Sequence, residues 1–316
     1  MNLISVDSLN KSQTENLFRS KYIAENRPAL LKGLCKEWPA FSKWSLDYFS
    51  ETYGSAELPV SYYQSNAHQK YKDKTRINMK EYVDYVKSLR TAPPTGEPMY
   101  AAGWHFAKSF SSLTQDIVIP EFFQNNLIDK IQPIMQYDWM SLFIGHAYSQ
   151  SPLHTDSFFV STWLTCIRGS KTVRLIPGDT PGITNGLDVF NDTIVENLIA
   201  KGVSVYEAKI EEGDTLFMPS GWWHHVINHD ESIALSCNFV SPNNYLPFEQ
   251  QIRGRILTPL VKLEKLSQEI LNSEFAYCED SLESCRYVDN EKAFLKYIQQ
   301  MHTKHDHILN RLPKAN

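Results

Sequence analysis

The chain is predicted to be mainly β: a sandwich or barrel of short antiparallel strands over residues 98–244, preceded by mixed α and β elements over 1–97 and followed by helices over 245–316. Three observations predict this. Between about Pro98 and Ser241, short runs rich in Val, Ile, Phe, Tyr and Trp alternate with turn residues. Before and after that zone, apolar residues recur at three- and four-residue intervals. The 316 residues are 42% hydrophobic and 21% charged, which is enough apolar surface for one large core and excludes wholesale disorder.

In chain order, helical periodicity covers Ser12 to Ile23, Trp44 to Tyr53 and Met79 to Leu89, with extended runs from Pro28 to Leu31 and from Leu58 to Tyr62 between them. The β zone then presents MYAAGWHF, WMSLFIGHAY, FFVSTWLTCI, KTVRLIP, VSVYEAKI, DTLFMP and SIALSCNFV, separated by turns such as RGSK, PGDTPG, EEGD and NHDES. After Asn244 the period returns to helical in FEQQIRGRILTPLVKLEKLSQEIL and NEKAFLKYIQQMH. The apolar stripe of these last helices packs on its own domain or forms a homodimer interface.

Charge and cysteine usage bound the function. A net charge of −5 gives no general attraction for phosphate backbones, so nucleic acid is not an expected partner. The local run Lys70, Lys72, Lys74, Arg76 is either a solvated edge or a contact to tRNA or the ribosome. Five cysteines, none in a CxxC pair, argue for reduced thiols in a cytoplasmic compartment. The start of the chain lacks a basic segment followed by an apolar run, and no stretch of eighteen apolar residues occurs, so neither secretion nor a membrane span is expected. His302, His305 and His307 fit an exposed helix end.

The chemistry concentrates in two segments. In Ser151-Pro-Leu-His154-Thr-Asp156, residues two apart on an extended chain share a face, so His154 and Asp156 converge. One imidazole and one carboxylate are two thirds of a facial ligand set for non-haem Fe(II). With ten histidines and 36 acidic residues, about one such pair is expected by chance, and His229-x-Glu231 also fits. The second segment, Asp214-Thr-Leu-Phe-Met-Pro-Ser-Gly-Trp-Trp-His224-His225-Val, delivers a histidine into an apolar setting suited to a neutral imidazole, which makes His224 the candidate third ligand. On a strand His225 would face the other way. Lys171 opens the strand KTVRLIP, seventeen residues after His154, and implies either a buried anion, such as the far carboxylate of 2-oxoglutarate, or a solvated strand end.

Taken in order, Tyr100 in EPMYAAGWHF, Ser151-x-x-His154-x-Asp156, the stretch WLTCIRGSK ending in Lys171, PSGWWHHVIN, and Asn238 closing CNF resemble the JmjC oxygenases, best their small protein-hydroxylase branch that includes the jumonji-domain lysyl hydroxylases. The resemblance runs from about Asn26 to Asn244. It implies a double-stranded β-helix of the cupin type, Fe(II) on His154, Asp156 and His224, and use of 2-oxoglutarate and O2 to hydroxylate a target. It also implies that Lys171, Tyr100 and Ser151 hold the distal carboxylate, and that Asn238 lines the cosubstrate or oxygen side. Ser151 stands where relatives often carry threonine, and Leu164 where one relative carries a polar cosubstrate contact. Trp104 and His105 resemble substrate-side residues of the lysyl hydroxylases and would lie near the mouth. The implied substrate is a protein side chain, lysyl favoured, with a translation component among the conceivable partners. An oxygenase acting on RNA or a small metabolite, and a non-catalytic cupin binding module, are the alternatives. Asp138, Asp188 and Asp192 are acids that would suit a substrate ammonium.

Overall fold

In the computed structural model, residues 2–10, 13, 17–64, 70–129 and 138–254 are described. The strands contributed by the first part of the chain are β1 (Ile4–Ser5), β2 (Ser8–Leu9), β3 (Ala29–Leu31), β4 (Glu57–Gln64), β5 (Lys70–Asn78) and β6 (Met99–Trp104). They are followed by β7 (Met140–Gly145), β8 (Gln150–His154), β9 (Ser161–Arg168), β10 (Lys171–Ile176), β11 (Tyr206–Ile210), β12 (Thr215–Met218), β13 (Trp223–Asn228) and β14 (Ser232–Phe239).

These strands form two sheets. One has nine strands in the order β2-β3-β12-β9-β14-β7-β6-β4-β5, the other five in the order β1-β11-β10-β13-β8. Within them, β7-β14-β9-β12 and β8-β13-β10-β11 are two four-stranded antiparallel sets, and the chain crosses from one to the other at every step except β10 to β11, which is a double-stranded β-helix. Strands from the first 97 residues lengthen the larger sheet at both edges, and β1 lengthens the smaller one.

Period-two alternation decides what each sheet face buries. On β9, Leu164 and Cys166 join the cluster between the sheets with Val173, Leu175, Leu216 and Met218. Trp163 and Ile167 point outward to a second cluster that includes Trp44, Phe49, Phe123 and Phe217. Each of these large side chains, fully withdrawn from water, contributes about 1.5–3 kcal/mol before entropy is counted. Helices cover that outer face. Leu46–Tyr53 is capped by Ser45, whose Oγ accepts the Tyr48 N–H at 3.0 Å, and Met79–Ser88 buries Met79, Tyr82, Val83 and Val86. A helix at Asp192–Ala200, where the sequence periodicity had indicated no element, is capped by Asn191 Oδ1 accepting from Ile194 N–H at 3.2 Å.

Cys35, Cys166 and Cys237 are buried free thiols, and burial pushes Cys35 up to about 12 and Cys166 up to about 11. No helix among the described residues is long and apolar enough to cross a membrane. Beyond helix Tyr245–Ile252, the expected dimer stripe and the three C-terminal histidines lie outside the described residues, as do the side chains of Lys70, Lys72 and Lys74. Arg76 pairs with Glu57 at 3.6 Å.

Candidate metal centre and cosubstrate pocket

A pocket between the two sheets collects the predicted site residues from distant parts of the chain. From the smaller sheet come Ser151, His154, Lys171 and His224; from the larger sheet come Tyr100, Thr162, Leu164 and Ser236; Asp156 follows the end of β8.

At the mouth, His154 on β8 and His224 on β13 are direct cross-strand partners, with their ring centroids 4.2 Å apart. The turn Pro219-Ser220-Gly221, with Gly221 at φ +77°, starts β13 in the register that achieves this. Asp156 Oδ1 lies 3.9 Å from His154 Nε2 and 3.8 Å from His224 Nε2. Those separations are too long for hydrogen bonds and suit a single ion touching all three. The three side chains form a group whose ligand atoms lie within 4.8 Å of one another.

The histidine tautomers are dictated by their neighbours. Nδ1 of His154 faces the Pro152 carbonyl at 2.7 Å, and Nδ1 of His224 faces the Trp222 carbonyl at 3.1 Å. A carbonyl can only accept, so each Nδ1 carries the proton and each Nε2 offers a lone pair toward Asp156. Burial, and then the adjacent His154, push the His224 imidazole down to about 4, so it is neutral at physiological pH. These are the properties a divalent-metal site requires. His225 turns to the opposite face, as alternation demands, and donates from Nε2 to Gln150 Oε1 at 2.9 Å.

Asp156 is also held from behind. Its Oδ2 accepts a short hydrogen bond from the Thr162 hydroxyl, and Asn238 Nδ2 donates to Thr162 Oγ1 at 2.8 Å. Asn238 is the cross-strand neighbour of Thr162 and reaches the pocket wall through it.

At the closed end Lys171 is only 1% exposed. Its Nζ donates to Asn228 Oδ1 and, at 3.0 Å, to Ser232 Oγ. Among the described residues no carboxylate lies within ion-pair distance of it, and burial pushes the ammonium down to about 8. Asn228 in turn donates to Ser149 Oγ at 2.6 Å. Gly145 makes room for this arrangement: a Cβ there would stand 2.5 Å from Asn228 Nδ2 and Ser149 Oγ and 2.7 Å from the Tyr100 ring. Tyr100 and Ser151 are buried in the same wall.

Two expected residues lie elsewhere. Trp104 is buried in the outer cluster against Phe49, Phe106 and Phe110, and the neighbouring His105 is exposed. The cause is a bulge in β6: the register shifts between Ala102 and Trp104, with Gly103 at φ +81°, so the alternation that aims Tyr100 inward is reversed at Trp104. Asp138, Asp188 and Asp192 do not line the pocket. Thr162, Asn228, Ser232 and Ser236 do not appear among the sequence candidates. The available signal was period two counted from assigned neighbours, as in 224, 226, 228.

A family model described as a cupin-like domain matches residues 14–182 and 187–245. The chain is 28% identical over 260 residues to the lysine-specific demethylase JMJ21 of Arabidopsis thaliana, covering 76% of this chain and 26% of that protein. It is 27% identical over 277 residues to the bifunctional arginine demethylase and lysyl-hydroxylase psr-1 of Caenorhabditis elegans, covering 79% and 66%. It is 25% identical over 269 residues to the 2-oxoglutarate and iron-dependent oxygenase JMJD4 of Gallus gallus, covering 76% and 60%. The chain thus spans only part of these relatives, from about a quarter to two thirds of their length. With a β-helix built around a His-Asp-His mouth and a family model matched over most of its length, the chain belongs to the cupin-like domain family.

Proposed function

We propose that this chain is an Fe(II)- and 2-oxoglutarate-dependent oxygenase that hydroxylates a protein side chain, with lysyl favoured. The observation that carries the reading is the pairing, in one pocket, of an oriented His154, Asp156, His224 mouth with a buried Lys171 that has no carboxylate partner among the described residues. An isolated buried ammonium is costly, and a dicarboxylate reaching from the metal to the closed end offsets that cost.

In this reading His154, Asp156 and His224 hold the iron, which supplies, with 2-oxoglutarate and O2, the oxidising chemistry that ends in succinate, carbon dioxide and a hydroxylated target. The chain's own contribution is geometric. The carbonyls of Pro152 and Trp222 keep both imidazole lone pairs inward. Lys171 receives the distal carboxylate, with Tyr100 and Ser151 beside it, and Leu164, Met218 and Val226 keep water from the cosubstrate. A protein substrate is supported by the names of the relatives, a lysine-specific demethylase and a bifunctional arginine demethylase and lysyl-hydroxylase.

Those names divide between hydroxylation and demethylation, and both begin with oxygen insertion at a C–H bond. The test loads the protein anaerobically with Fe(II) and 2-oxoglutarate, adds lysine-containing and methylated peptides, admits O2 and analyses by mass spectrometry. A gain of one oxygen on a lysine, matched by succinate, is expected. Loss of a methyl group would assign demethylation, and absence of succinate under every condition would overturn the oxygenase reading.

A further inference from the structure

The geometry points to Thr162 as a positioning residue for the metal site: an oriented hydroxyl, driven by Asn238, that ties off one oxygen of Asp156 and leaves the other as the single metal donor. The inference rests on the proposed role of His154, Asp156 and His224 as metal ligands and adds to it two residues and a direction.

The argument is one of hydrogen polarity. A ligating carboxylate is acceptor-only, so the short contact between Asp156 Oδ2 and Thr162 Oγ1 must contain the threonine's one hydroxyl proton. With that proton committed, Thr162 Oγ1 can only accept from its other neighbour, which must therefore present N–H. Asn238 does so with Nδ2 at 2.8 Å, and the opposite amide orientation would set two lone pairs against each other. The chain of donors thus runs one way, from Asn238 through Thr162 to Asp156.

Backbone pairing fixes its parts. Thr162 and Asn238 are cross-strand partners on β9 and β14. The Asn238 N–H donates to Trp139 O at 3.0 Å, and its carbonyl accepts from Asn126 Nδ2 at 2.8 Å. Thr162 itself is buried.

The consequence concerns the number of donors. Both histidine Nε2 atoms approach Oδ1, the oxygen that Thr162 does not hold. With Oδ2 engaged, Asp156 supplies one donor, and the ion keeps its remaining positions for a two-point cosubstrate and for O2. Without the hydroxyl, Oδ2 is free to swing onto the ion and occupy one of those positions.

The test uses Co(II) as the metal probe on the full chain without cosubstrate, followed by titration with 2-oxoglutarate. Thr162→Val removes the hydroxyl at nearly constant volume. It is expected to weaken Co(II) binding roughly 10- to 100-fold, the usual range for a partner of a metal ligand, and to change the visible absorption of the bound ion while the melting temperature holds. Thr162→Ser should recover both readouts, and Thr162→Ala serves as the comparison if the valine variant fails to fold. Asn238→Ala should weaken Co(II) binding before any 2-oxoglutarate is present, whereas a residue touching only the cosubstrate would alter the second titration alone. Wild-type affinity and absorption in a folded Thr162→Val protein would overturn the inference, with the ligand assignment intact. Failure of the wild type to bind Co(II) would overturn the ligand assignment itself.

Discussion

At the mouth of the pocket His154 and Asp156 are half-buried, their facing atoms form no hydrogen bond with one another, and each of the three candidate ligands is oriented from behind by a carbonyl or a hydroxyl. At the closed end the situation reverses: Lys171 is enclosed, saturated on two sides by Asn228 and Ser232, and its surroundings leave no slack at Gly145. The difference teaches how one fold separates two tasks. Lone pairs must be left unspent where an ion enters and is exchanged, while a fixed cation can be buried where only one ligand end must be recognised. The largest effect is therefore expected at the mouth. His154→Ala or Asp156→Ala should reduce succinate production to background, since losing one of three ligands removes both affinity and geometry. Because both side chains are partly exposed, melting should shift little; unchanged succinate would break the assignment.

Changes at the closed end should tune the requirement for cosubstrate and leave metal binding in place. Lys171→Ala is expected to raise the 2-oxoglutarate concentration needed by roughly 30-fold or more, the equivalent of about 2 kcal/mol for truncating one partner of a buried charge pair. A titration with no shift would remove that role. Gly145→Ala should come next, at about 1–3 kcal/mol of stability measured by denaturant unfolding, because the added methyl overlaps Asn228, Ser149 and Tyr100. The pH dependence follows from the depressed Lys171 ammonium, at about 8 in the folded chain against 10.5 ordinarily. Above pH 8 the free protein loses the cation, so 2-oxoglutarate affinity should fall by about tenfold between pH 7 and pH 9. Lys171's contribution to stability moves the other way. The unfolded chain holds more protons between about 8 and 10.5, so the unfolding free energy, and with it stability, should rise with pH across that window.

Local pattern carried most of the fold and brought out the candidate ligand set. His154 and Asp156 share a face because the chain is extended there, and the seven strand runs from MYAAGWHF to SIALSCNFV appear as β6, β7, β9, β10, β11, β12 and β14 with ends moved by a few residues. What local pattern could not carry was register. Lys171 meets Asn228 only because β10 pairs with β13 at that step, and Gly145 clears the space only because β7 and β13 are brought together through the sheets. A single-residue bulge at Gly103 was enough to send Trp104 to the wrong face for a mouth residue. The helix Asp192–Ala200 is hard to read from the sequence because its apolar residues Ile194, Val195, Leu198 and Ile199 follow a turn-rich stretch.

The smallest expected effect again contrasts the two ends. Phe158 and Phe159, between Asp156 and Thr162, have φ of 63° and 53°, a conformation that costs a bulky residue about 1–2 kcal/mol. The turn is pinned by the Phe159 carbonyl, which accepts from Ser220 Oγ at 2.6 Å and Asn244 Nδ2 at 3.1 Å, so its surroundings impose it. The two rings differ: Phe158 packs edge-on against Trp139 at 6.2 Å, whereas Phe159 is 43% exposed. Asparagine tolerates the left-handed region. Phe159→Asn should therefore relieve strain at little loss of burial and stabilise the chain by about 0.5–1 kcal/mol. Phe158→Asn should lose more packing than it relieves and destabilise it. Denaturant unfolding of the pair decides the point, because equal destabilisation by both would mean that the mouth, like the closed end, is held by packing and stores no strain.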